Sequence, residues 1–138
     1  MKRTYKFRGQ SLKEYDPLSR TKKGTWLEGD LHTQDEYAAI DNGKFTLEVD
    51  PATVGQFCGI CDTSTPPKEI YDGDIIEGKS GMRHLVKYDE DLAAFVAYFL
   101  PYDEDLAPCH ITKKWVVEFE KKVIGNVFDK PELIKKEE

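Results

Sequence analysis

The sequence predicts a mainly β fold with only short helical turns. Apolar residues recur with period two along most of the chain, and the pairs Asn42-Gly43 and Asp72-Gly73 stand between such runs as turn signals. The bounds agree: 138 residues, 39% apolar and 12% aromatic, can bury a core without disulfides and are too aromatic for a disordered chain.

In chain order, "YKFRG" (Tyr5 to Gly9) reads as an early strand with Tyr5 and Phe7 on a buried face and Lys6 and Arg8 facing an acidic body. "YAAI" and "FTLEV" flank Asn42-Gly43, which suits a tight hairpin turn, and Phe45, Leu47 and Val49 share one face. "DPATVGQF" reads as one helical turn, capped by Asp50, with Pro51 at its first position and Gly55 at its end. "TSTPP" (Thr63 to Pro67) is the linker candidate, because proline cannot join a ladder. Asp72-Gly73-Asp74 turns the chain between Tyr71 and Ile75. "RHLVKY" reads as a strand, and "LAAFVAYFL", apolar on both faces, as a central one, with a short helix capped by Asp91 as the alternative. "WVVEFEKKVI" alternates, with Trp115, Val117 and Phe119 opposite Glu118 and Glu120, as a half-buried strand does. "VIGNVF" reads as a last strand, bent or bulged at Gly125-Asn126, and "DKPELI" as a closing helical turn before a solvated "KKEE". The expected core is Trp26, Phe45, Leu47, Val54, Phe57, Ile75, Val86, Phe95, Trp115, Val117 and Ile124.

Charge is unevenly placed. Residues 1 to 23 hold eight basic and two acidic groups, a balance of +6 in a chain whose total is −6. The basic arm, with Lys2, Arg3, Lys6 and Arg8, is the one feature that favours phosphate, while the acidic remainder opposes wrapping a duplex. The N-terminus lacks the apolar stretch of a signal peptide and no run reaches membrane-spanning length, so a cytoplasmic protein is expected. Three cysteines, an odd number, fit a reducing compartment.

Candidate chemistry is sparse. "YDEDLA" occurs twice, at Tyr88 to Ala93 and Tyr102 to Ala107. Neither copy has the glycine and terminal bidentate carboxylate of a calcium loop, so Asp89 to Asp91 and Asp103 to Asp105 read as two acidic turns flanking one strand, and the repeat as accidental. Cys58 and Cys61 have C-x-x-C spacing, and Cys109 and His110 complete four zinc-type ligands on paper. Adjacent residues of an extended chain point apart, however, so Cys109 and His110 would rarely reach one ion, and no metal is expected. His32, His84 and His110 accompany no nucleophile elbow, metalloprotease or phosphate-loop motif and read as structural. No catalytic residue, metal or cofactor is assigned.

"YKFRG", "WLEGDL" (Trp26 to Leu31), "VDPATVGQF" (Val49 to Phe57), "KEIYDGDII" (Lys68 to Ile76) and "VIGNVFDKPEL" (Val123 to Leu133) occur in an order that resembles the YopX-like family of phage and prophage proteins. The resemblance spans nearly the whole chain. It implies a mostly β protein with an SH3-like barrel, encoded by a phage or prophage, with no established biochemical activity and no catalytic residues to carry over. Where the family tends to read threonine-glycine-leucine-lysine-aspartate, this chain has Cys58 to Asp62, which marks the cysteines as local choices. The organisation expected is a β-rich portion over residues 1–62, packed on an SH3-like barrel over 66–130, and a tail over 131–138. "RHLVKY", "LAAFVAYF", "WVVEFEKK" and "VIGNVF" supply the strands to close that barrel.

A non-catalytic binding module with a protein partner, itself included as a homo-oligomer, is the expected function, since no nucleophile, base or phosphate motif stands out. A nucleic-acid accessory protein acting through the basic arm and a small metal-assisted enzyme are the alternatives.

Overall fold

The structure, a computed structural model, describes residues 4–14 and 21–134. The expectations placed on Lys2, Arg3 and the terminal "KKEE" lie outside these. The chain forms two antiparallel sheets and divides into two compact units, Met1–Phe57 and Cys58–Glu138, with the division inside a strand, β5 (Gly55–Cys61), and not at the Thr63–Pro67 loop.

In the first unit, β1 (Phe7–Gln10), β2 (Trp26–Gln34), β3 (Tyr37–Asp41) and β4 (Thr46–Glu48) join the start of β5 in the order β4-β3-β2-β1-β5. The Asn42-Gly43 hairpin is present, with Ile40 opposite Leu47. Its loop is wider than a two-residue turn: only Gly43 has positive φ there, at 96°, and the Asn42 side chain accepts from the backbone N–H of Lys44 and Phe45. Leu47 and Val49 are buried and Thr46 is exposed, as the alternation requires, and they join Leu27, Ala38 and Ile40 in a core flanked by Phe7 and Phe45. A single 3-10 turn spans Pro51–Thr53. Asp50 caps it by accepting from the Ala52 N–H at 3.0 Å, and it ends at Val54. The Gln10 N–H donates to Thr53 Oγ1 at 2.9 Å, which ties this turn to β1. The aromatic face of "YKFRG" is only half buried, because Tyr5 is exposed while Phe7 packs on the core. Arg8 lies 4.7 Å over the Trp26 ring, and Lys13 pairs with Glu48 at 2.9 Å.

In the second unit, β7 (Asp74–Glu77), β8 (Arg83–Asp89), β9 (Ala94–Leu100), β10 (Cys109–His110) and β11 (Lys122–Asn126) form a sheet in the order β10-β9-β8-β7-β11, and β6 (Glu69–Tyr71) lies beside β5. Both strand orders are open, so the closed barrel expected here is not what the described residues form. The reason lies at 113–118. "KKWVVE" is a helix, α1 (Lys113–Glu118), and not a strand, which leaves the two-residue β10 as the edge where another full strand was expected. Thr112 starts α1 by accepting from the Trp115 N–H at 3.1 Å. At helical spacing Val116 turns into the core with Ile70, Ile76 and Val86, while Val117, expected inside, is 57% exposed. The apolar Val116 among Glu118 and Glu120 on the polar face of the strand reading was the sign of a 3.6-residue period.

Of the other expected core residues, Leu47, Phe57, Ile75 and Val86 are buried and Trp26, Phe45, Val54, Phe95, Trp115 and Ile124 half-buried. The turn at Asp72-Gly73 and the strands over "RHLVKY" and "LAAFVAYFL" form, with a turn at Glu90 to Ala93 where a helix capped by Asp91 was the alternative. The bulge of β11 falls between Val123 and Gly125, one residue before the expected pair. A 3-10 turn closes the described chain at Pro131–Ile134. Thr63 to Pro67 is held down at its start. Buried Asp62 accepts from the backbone N–H of Ser64, Lys68 and Val123 at 3.0, 2.8 and 2.9 Å and from the Ser64 hydroxyl at 2.9 Å.

Candidate functional site

The second unit carries a buried polar pair that the sequence did not single out. His84 sits on β8 opposite Ile76 of β7 and Phe99 of β9, an apolar setting that leaves its ring 2% exposed. Lys121 reaches it from the end of α1. There the Lys121 N–H bonds the Val116 carbonyl, the Glu120 N–H bonds that of Val117, and Glu120 adopts a φ of 49°, the left-handed cap that stops a helix and turns the chain. Lys121, 3% exposed, places Nζ 3.2 Å from His84 Nδ1 and 4.8 Å from the Trp115 ring. Trp115 and Phe99 enclose the imidazole, with centroids at 5.2 and 4.6 Å.

Burial, with the Lys121 charge adding to it, pushes the His84 pKa down to about 4. Burial also lowers that of Lys121, against a smaller raising effect from Cys109. The imidazole is therefore neutral at pH 7. An ammonium donating to Nδ1 leaves the ring proton on Nε2, which meets no acceptor among the described residues. The lysine fills its space: a Cβ on Gly78 would stand 3.0 Å from Nζ and 2.9 Å from the Phe119 carbonyl oxygen. Beside it, a shallow cleft of about 270 Å³ is lined by Glu77, Gly78, Lys79, Glu120, Lys122 and Ile124. A base and an amine in contact have the makings of proton transfer, but a pair this enclosed offers no room for a substrate atom.

The cysteines form no disulfide. Cys58 is half-buried on β5 with its thiol pushed up to about 11 by burial, Cys61 is exposed, and all three cysteines are free. On β10, Cys109 is half-buried and its neighbour His110 exposed, so they turn opposite ways. Among the described residues no group of three His, Cys, Asp or Glu side chains converges as metal ligands.

The two YDEDLA copies form acidic turns at opposite ends of β9, and they meet at one side chain. In the first, Asp89 accepts from the Leu92 N–H at 3.1 Å and from the Tyr98 hydroxyl at 2.7 Å. In the second, Asp103 accepts from the Asp105 N–H at 3.0 Å, and the Tyr102 ring packs edge-on against Tyr98 at 5.8 Å. The Tyr98 hydroxyl bond, ahead of that from Leu92, holds Asp89 below its usual value, and the same bond, followed by burial, pushes Tyr98 up to about 12. Tyr88, Leu92, Tyr102 and Leu106 remain exposed around these turns. Glu90, Asp91, Glu104 and Asp105 are exposed too, and none has an ion-pair partner among the described residues. The convergence on Tyr98 was hidden in the sequence, where the copies are separated by a whole strand.

No described helix is long and apolar enough to cross a membrane. No curated protein matches the chain. The family model described as YopX protein matches residues 4–135, nearly its full length and all five ordered blocks, and the chain therefore belongs to the YopX family.

Proposed function

We propose that the chain is a non-catalytic binding module that engages a protein partner through the acidic and aromatic surface of its second unit. The observation that carries this is the meeting of the two YDEDLA turns at Tyr98, which leaves Leu92, Tyr102 and Leu106 exposed beside carboxylates with no ion-pair partner among the described residues. Exposed tyrosine and leucine bodies ringed by charge are what recognition surfaces use as anchors and rim. The titratable pair in the interior, by contrast, is enclosed, which favours binding over catalysis. The nucleic-acid reading gains less support, because Arg8 is stacked on Trp26 and Lys13 is paired with Glu48. The phage or prophage setting, the host cytoplasm and a kinship of the second unit with SH3-like barrels, carried by its short antiparallel strands, belong to this same proposal.

The test is in-cell cross-linking of the tagged chain against its Tyr102→Ala/Leu106→Ala variant, in prophage-carrying host cells. A protein cross-linked to the parent chain and lost with the variant, at unchanged circular dichroism, is the expected result. Equal recovery from both, or no specific protein from either, would refute the reading.

A further inference from the structure

Resting on the binding-module reading, we propose that the surface around Tyr98 receives a cationic amphipathic segment of another protein, with lysine or arginine placed between apolar anchors. Residues 88–109 contain six carboxylates and no lysine, arginine or histidine, so this stretch alone carries a charge equal to the −6 of the whole chain. The remaining residues balance to zero. Asp89 and Asp103 are committed to their turns through the Leu92 and Asp105 N–H groups. Glu90, Asp91, Glu104 and Asp105 project without cations to neutralise them among the described residues.

Like charges gathered within each of the two turns repel one another, and a ligand of opposite sign relieves that repulsion as it docks. Charge alone would attract any cation. The apolar half of the recognition comes from Leu92, Tyr102 and Leu106, each about half exposed, in the same two turns. Tyr98 sets their spacing: its hydroxyl fixes the first turn through Asp89 and its ring the second through Tyr102, so the anchors are ordered before a partner arrives. A segment that is basic and apolar satisfies both halves. An acidic amphipathic segment satisfies only the apolar half, a polar cation only the charged half, and nucleic acid is repelled by the carboxylates.

The probe is a fluorescent lysine- and leucine-rich amphipathic peptide, with a counterpart in which glutamate replaces every lysine, titrated by anisotropy at several salt concentrations. The parent chain should bind the cationic peptide and not its counterpart. The variant Glu90→Gln/Asp91→Asn/Glu104→Gln/Asp105→Asn should weaken binding about tenfold at low salt and flatten the salt dependence. Tyr102→Ala/Leu106→Ala should weaken it about tenfold at every salt concentration while keeping the slope. Removing four exposed acids of the first unit instead, with Glu28→Gln, Asp30→Asn, Asp35→Asn and Glu36→Gln, should leave affinity within about twofold.

Equal binding of both peptides, no binding of the cationic one, or equal loss in the first-unit control overturns the proposal. So does salt-sensitive self-association abolished by the four second-unit substitutions without peptide binding, which would make a second copy the occupant. The binding-module reading survives each of these outcomes as long as cross-linking in cells still depends on Tyr102 and Leu106.

Discussion

His84 and Lys121 share one buried contact, where burial first and the ammonium 3.2 Å away second disfavour a charged imidazole. The histidine therefore yields its proton, with a folded pKa of about 4 against an ordinary 6.5. As pH falls from 6.5 toward 4 the unfolded chain takes up this proton first, so the contribution is complete above 6.5 and declines through the window to its loss near 4. At about 1.4 kcal/mol per pKa unit the decline amounts to roughly 3 kcal/mol. Urea denaturation at a series of pH values should show it. Lys121→Met replaces the ammonium by an apolar side chain of similar length, so stability at pH 7 should hold or rise by about 1 kcal/mol, as it often does when a buried charge is removed. The His84 titration followed by NMR should at the same time move up toward 6.5, since one of the two causes of its depression is gone.

At the scale of elements, Asp62 joins the end of β5, the Thr63 to Pro67 loop and β11. Burial alone would raise its pKa, but the N–H groups of Val123, Lys68 and Ser64 pull harder and hold it below 3.8. Its stabilisation is thus present above 3.8 and lost as pH falls through the lower folded value. Asp62→Ala leaves those donors without their acceptor and should cost about 3 kcal/mol, with Asp62→Asn losing less because its carbonyl still accepts. Chemical denaturation of the two variants checks the order. The prolines of "TSTPP" interrupt the ladder between β5 and β6, and Asp62, just before the loop, fastens it at both ends.

For the whole molecule, the distribution of charge matters more than its total. Two cations of the described part of the N-terminal arm are engaged within the first unit, Arg8 on Trp26 and Lys13 on Glu48, and the net charge of −6 opposes long-range attraction to phosphate. Binding to labelled single- or double-stranded nucleic acid at physiological salt should be no tighter than about the micromolar end of non-specific contacts. A gel-shift titration with steep salt dependence well below a micromolar would reverse this and return the arm to the centre of the function.

The sequence by itself determined most of the local elements, since turn chemistry and alternation act between near neighbours. Asn42 and Gly43 place a hairpin, Asp50 and Pro51 start a helical turn, and Asp72-Gly73 reverses the chain whatever packs against it. It also determined the family, because five ordered blocks survive without reference to shape. Only the tertiary structure decided whether 113–118 is strand or helix, where a short apolar run satisfies both periods until Val116 finds the pocket formed with Ile70, Ile76 and Val86. It alone brought Lys121 to His84, residues with no shared motif, and joined two copies of YDEDLA at Tyr98. The first contact links positions 37 apart and the second depends on the side of β9 that Tyr98 takes, and a linear pattern carries neither until the sheet has formed.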